Sequence, residues 1–176
     1  MFNKVSKEIL FITQAGIIAA LYTVLTVMVA AVNLASGAIQ FRVSEALCVL
    51  PFFTPAAIPG VVIGCLISNF ITGSAVPDIV FGTLATAIGA VFSYKLKNHR
   101  FLVTIPPVIS NALIIPFVLK FAYGIPGSIP FFMFTVGAGE VLACVVLGSI
   151  LITALIPVRK YIFPLPESEF QSSKTA

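Results

Sequence analysis

Residues 42–71 read RVSEALCVLPFFTPAAIPGVVIGCLISNFI, and the division of this stretch decides how often the chain crosses a bilayer. Two apolar runs, about Arg42–Phe53 and Ala56–Ile71, are separated by Pro51, Pro55 and Pro59. As an α-helix the first run covers roughly 18 Å, against a hydrocarbon core of about 30 Å. It is short for a span. The other division is one kinked span from Leu47 to Ile71. Arg42 and Glu45 open the stretch, two charges where the chain has few to spend.

The setting follows from composition. Of 176 residues, 59% are hydrophobic and 9% charged, and the mean hydropathy is +1.12. Soluble domains carry about a quarter charged residues, so so little polar surface cannot cover a globule of this size. Lipid is the main solvent. The net charge of +4 then bears on membrane orientation rather than on nucleic acid. The N-terminus, with Lys4 and Lys7 before an apolar run, is reminiscent of a signal peptide. The run from Ile9 to Ala31 exceeds the roughly 7–15 residues of a signal core, and it is long enough to span.

Beyond Ile71 three further apolar runs follow, about Asp78–Leu96, Phe101–Tyr123 and Phe131–Ile156. With six spans and the N-terminus inside, the cytoplasmic side receives Lys4, Lys7, Lys95, Lys97, Arg100, Arg159, Lys160 and Lys174. The outside receives Arg42 and Lys120. With five spans, the KLKNHR loop and the Arg159–Lys160 pair fall on opposite sides, against the positive-inside bias. The expectation is an all-α membrane protein with six transmembrane helices and both termini cytoplasmic. Residues 1–163 form one substrate-binding domain, and the tail PLPESEFQSSKTA, 164–176, is expected to be disordered.

This topology puts Arg42, Glu45, Asn69, Asp78, Lys120 and Tyr123 at the outer ends of helices. Asn111 and Glu140 lie deeper, in the outer half. The pattern is a polar cup for an external solute. Each residue also has a plainer reading. Asp78 after Pro77 can cap its helix, and Glu45 in a first turn can answer the dipole or pair with Arg42. Lys120 can snorkel, and Asn69 and Asn111 can bond between helices. Glu140 has no such account. A carboxylate at mid-helix costs about 2.5–3.5 kcal/mol on insertion scales, which makes it the strongest candidate. Cys48, Cys65 and Cys144 are far apart in apolar runs and read as small buried side chains. With one His, in a basic loop, neither a metal site nor a cofactor is expected.

The first helix carries Ala15-x-x-x-Ala19 and Gly16-x-x-x-Ala20 in TQAGIIAALYT. Such small-residue stripes allow close backbone packing in lipid, inside the bundle or against a partner. The chain lacks a nucleotide-binding G-x-x-x-x-G-K-[ST] motif, and no chain of acidic groups crosses the membrane to carry protons. Uphill transport would need a second protein as its engine.

In these features the chain resembles the substrate-binding (S) components of energy-coupling factor (ECF) transporters. FRVSEALCVLPFFTPAAIPGVVIGCLISN, DIVFGTLATAIGA, NALIIP and the late GAGE are similar to the QueT family of queuosine precursor transporters, over roughly Ile9 to Ile156. The resemblance implies a transmembrane T component, two cytoplasmic ATPase subunits and a 7-deazaguanine substrate bound from outside. It implies docking through Ala15, Gly16, Ala19 and Ala20. It also implies a pocket lined by Asp78, Asn111, Tyr123 and Glu140, closed over by Gln40–Glu45. Two other readings stand beside it. An S component for another vitamin fits the architecture, although an anionic vitamin calls for more bases than Arg42 and Lys120. An integral membrane enzyme lacks acids at metal-binding spacing.

Overall fold

The computed structural model describes residues 2–31 and 42–163, with side chains from residue 7. Gln40 and the 164–176 tail lie outside the described residues. Among the described residues the chain is helical, without strands. Four stretches of the described residues are long and apolar enough to cross a membrane: Lys7–Ala31, Val76–Lys95, Leu102–Phe121 and Ile129–Leu155. They belong to helices α1 (Phe2–Ala31), α3 (Val76–Lys95), α4 (Ile105–Phe121), and α5 (Ile129–Glu140) continued by α6 (Gly148–Leu155). A last turn, α7, covers Arg159–Ile162.

The stretch from residue 42 forms two shorter helices. Val43–Phe52 is a 3-10 helix, and α2 covers Ala57–Ile71. At about 2.0 Å per residue a 3-10 helix reaches farther than an α-helix of equal length, so its 10 residues span about 20 Å. Runs this long are uncommon, because the hydrogen-bond geometry is poorer than in an α-helix. Here packing holds it. Ser44 to Pro51 are all buried, with α1, α2, α3, α6 and the turn before α4 around them. The 3-10 helix is the central post of the bundle.

Three apolar clusters surround that post. The largest joins Ile18 and Tyr22 of α1 to Leu47, Leu50, Val61 and Cys65. A second packs Ile115 and Leu119 against Phe132 and Val136, and a third packs Val49 with Val103 and Ile152. Small residues set the closest approaches. A Cβ added at Gly60 would lie 3.0 Å from the Ala15 carbonyl, and one at Gly64 would lie 2.9 Å from that of Ala19. Ala15-x-x-x-Ala19 is therefore matched by Gly60-x-x-x-Gly64, and α1 and α2 meet backbone to backbone.

Hydrogen bonds tie neighbouring ends together at both poles. At one, Thr54 Oγ1 donates to Gln14 Oε1 at 2.8 Å and Gln14 Nε2 to the Ile162 carbonyl at 3.3 Å. At the other, Arg42, Asn69, Asp78 and Tyr123 converge. The outer surface is apolar: Ile12, Phe70, Phe121 and Phe134 are each more than two-thirds exposed. Such a surface is out of place in water and at home in lipid.

Candidate substrate-binding site

Glu45, in the first turn of the 3-10 helix, is 2% exposed. The Tyr22 hydroxyl donates to its Oε1, and Cys48 Sγ lies 3.1 Å from Oε2. Both carboxylate oxygens are thus engaged by donors of the protein itself. Three residues on a 3-10 turn bring Cys48 over Glu45, while Tyr22 comes from α1 across the packed seam.

Glu140 ends α5, and Val141–Leu147 continues as a π-helix before α6. A π segment widens the turn and is frequent at functional sites. This one packs against the 3-10 helix and carries Cys144. Its Sγ lies 3.4 Å from Glu140 Oε2 and 3.3 Å from the Glu45 carbonyl oxygen. The sequence led to one continuous α-helix here and to cysteines that only fill space. Instead, Cys48 and Cys144 each sit against a carboxylate as weak thiol donors, and all three cysteines are free and buried.

Glu45 and Glu140 face each other across a small cavity also lined by Arg42, Asn111, Ile115 and Val136. Asn111, on α4, is 4% exposed, and its Nδ2 has no hydrogen-bond partner. A buried amide donor without an acceptor costs about 1–3 kcal/mol, and a ligand carbonyl would remove that cost. The cavity holds about 10 Å³, about what one water requires. Admitting an organic solute requires its walls to part. Ligand atoms of Glu45, Glu140 and Cys144 lie within 4.8 Å of one another, a spacing that suits a divalent cation. The Arg42 guanidinium in the same wall, a cation with no lone pair to offer a metal, suits a hydrogen-bonding organic ligand better.

Arg42 reaches across the pole rather than to Glu45. Its Nη2 lies 3.5 Å from Asp78 Oδ2 and its Nη1 lies 3.3 Å from Asn69 Oδ1. Asp78 is in the first turn of α3, but the capping position belongs to Ala75, whose side chain makes no cap hydrogen bond. Tyr123 Oη donates to Asp78 Oδ2 at 2.9 Å and accepts from the Ala75 N–H at 3.1 Å. Asp78 Oδ1 is buried and unpartnered. Lys120 is exposed and donates to the Gly127 carbonyl at 2.8 Å.

Arg42, Glu45, Asn111 and Glu140 therefore share one cavity, and Asn69, Asp78 and Tyr123 adjoin it through Arg42. Lys120 stands apart. Of the small residues on α1, Ala15 and Ala19 are buried against α2, whereas Gly16 and Ala20 are exposed. Tyr22 escaped the sequence reading, although a tyrosine amid an apolar helix must find its hydroxyl a partner. A much larger hollow of about 560 Å³, between α3 and α4 and lined by Phe81, Leu84, Leu113, Phe117 and Phe121, has no polar side chain in its walls. Its walls are apolar throughout, although Pro77 and Ala122 at its edge directly adjoin Asp78 and Tyr123 in the chain.

A small polar site buried in an apolar helical bundle is the arrangement of a membrane carrier. The model of the QueT transporter family matches residues 12–157. The chain belongs to that family. Its four long apolar stretches fit a multi-pass protein of the cell membrane. It is also similar to the queuosine precursor transporter QueT of Lactococcus lactis subsp. cremoris (strain MG1363), with 46% identity over 61 residues. That stretch is 35% of this chain and 36% of the relative, so the match spans about a third of the relative's length. No solved structure matches the chain.

Proposed function

We propose that this QueT-family protein is the substrate-binding component of an ECF importer and takes up a queuosine precursor of the 7-deazaguanine type. In this reading all six helical segments cross the membrane. The 3-10 helix and α2 do so in the middle of the bundle, where neighbours cover their shortfall in length. The basic residues put both termini in the cytoplasm and the Arg42–Asp78 pole outside. A T component and two ATPase subunits supply the drive, and Gly16 and Ala20, exposed on α1, form the docking surface. No nucleic acid and no cofactor enter the scheme.

One observation carries the choice of substrate. Glu140 and Asn111 line the same buried cavity, Glu140 with the Cys144 thiol on one oxygen and Asn111 beside that carboxylate with an amide donor that makes no well-formed hydrogen bond. A guanine-like edge offers two adjacent donors, the ring N–H and the exocyclic amine, beside a carbonyl acceptor. One carboxylate can take both donors, and an amide N–H can take the carbonyl. Glu45, already held by Tyr22 and Cys48, supports the far wall. Buried Ile115 and Val136 present apolar surface to the ring.

Calorimetry of the purified protein with 7-deazaguanine, beside the Glu140→Gln variant, tests this reading. Gln keeps the shape but sets an N–H donor against the ligand's own. Breaking a buried charged hydrogen bond costs about 2–5 kcal/mol, so affinity should fall about 30- to several-thousand-fold while the ligand-free protein stays folded. Equal affinity of the two proteins overturns the assignment of Glu140.

A further inference from the structure

We infer that the hollow between α3 and α4 binds a membrane phospholipid, whose acyl chains lie along it from the Arg42–Asp78 pole toward the middle of the bilayer. The hollow holds about 560 Å³, within the range of about 300–1,000 Å³ usual for ligand sites. Phe81 and Leu84 of α3 face Leu113, Phe117 and Phe121 of α4 across it. No side chain in its walls can make a hydrogen bond, so a polar solute would give up its bonds to water and regain none. The occupant is a hydrocarbon.

Where the hollow opens tells its source. Those five side chains are each about half exposed or more, and they belong to two of the stretches able to cross a membrane. The hollow is thus a furrow in the lipid-facing surface and is filled from the bilayer. Its length agrees. From Pro77 to Leu84 and from Ala122 to Leu113 the walls run about 10 and 13 Å along the helices. One leaflet of a 30 Å hydrocarbon core is about 15 Å deep. Spread over that length, the volume gives a section of roughly 45 Å². An α-helix about 10 Å across takes roughly 80 Å², so a partner helix is too thick to enter. Extended acyl chains at ordinary carbon contacts fit.

Lipid tails are as apolar as the walls, so no hydrophobic force holds them there. Contact does: a chain in the furrow meets protein on several sides, and dispersion contacts accumulate. The headgroup then lies at the pole, where Tyr123 ties the end of α4 to Asp78. Lys120, in the last turn of α4, is exposed and gives one donor to the Gly127 carbonyl. An ammonium has three donors, which leaves it able to bond a lipid phosphate. That contact selects a phospholipid over a free fatty acid.

Native mass spectrometry of the wild-type protein in mild detergent should find one phospholipid retained per chain. Detergent or fatty acid alone in its place overturns the inference, and this reading depends on no variant. A second test uses the lack of tryptophan in the chain. Phe117→Trp puts a reporter in the furrow, and Phe134→Trp puts one on the flank of α5, where Phe134 is 77% exposed. In detergent, phospholipid brominated on its acyl chains should quench the furrow reporter saturably, at about one lipid per protein. The flank reporter should need several-fold more lipid. Adding Leu84→Phe and Leu113→Phe to Phe117→Trp fills the furrow and should abolish the saturable phase. Equal quenching at the two positions, or a saturable phase that survives the filling, overturns the inference.

Discussion

Gly64→Val puts a branched side chain into the tightest seam of the bundle. The first added carbon would lie 2.7 Å from Tyr22 Cβ and 2.9 Å from the Ala19 carbonyl oxygen. Neither neighbour is the free end of a side chain. To restore an ordinary carbon contact of about 3.5 Å, α1 and α2 must part by roughly 0.8 Å. Overpacking of this kind costs about 1–3 kcal/mol, with valine near the upper end, and the gain in helix propensity returns a few tenths. At about 2–4 °C per kcal/mol for a chain of this length, Tm should fall by roughly 4–12 °C. The same movement draws Tyr22 off Glu45, so affinity for substrate should fall as well. Gly16→Val is the control. Nothing lies within 4 Å of a Cβ at Gly16, and a substitution free of contacts changes stability by about 0.5 kcal/mol or less. Thermal unfolding of both variants in detergent separates the cases. Equal Tm values for Gly64→Val and Gly16→Val would refute the close α1–α2 seam.

If Gly16 and Ala20 meet a partner helix, Gly16→Val should abolish uptake in cells while calorimetry on the isolated protein finds substrate binding intact. Lost binding would mean that this face serves the bundle itself. For orientation, His99→Cys in a background lacking Cys48, Cys65 and Cys144 should resist impermeant thiol reagents in intact cells. Ready labelling would place the basic loop outside and undo the six-span scheme. Tyr22→Phe removes a donor from buried Glu45; a hydrogen bond to a charged group contributes about 1.5–3 kcal/mol, so Tm should drop by roughly 3–12 °C. An unchanged Tm would show that Glu45 does not depend on that hydroxyl.

Composition and run length made the long helices legible. The runs Asp78–Leu96, Phe101–Tyr123 and Phe131–Ile156 correspond to helical stretches long enough to span, Val76–Lys95, Leu102–Phe121 and Ile129–Leu155, because long apolar periods leave a chain few choices in lipid. The shortness of the segment after Arg42 was visible too, but not its remedy. A 3-10 helix arises from burial on every side, and no local pattern encodes what surrounds a segment. The π segment after Glu140 likewise depends on its packing against the 3-10 helix. At the site, sequence marked the costly groups and missed their partners. Arg42 has Glu45 at helical spacing, yet it bonds to Asp78, 36 residues away. Spacing rules speak for one helix, whereas that pairing is made by the fold. Cys48 and Cys144, three and four residues after their glutamates, were within reach of the same rules. Their thiols were passed over because cysteine so often packs as a small apolar side chain.

Identity of the cargo is the central claim, and mass spectrometry of the ligand retained by the protein purified from its native membrane tests it most directly. The account predicts a 7-deazaguanine in the wild-type preparation, and its loss from Glu140→Gln prepared in parallel. An anionic vitamin in its place, or a deazapurine retained equally by both proteins, would contradict the account.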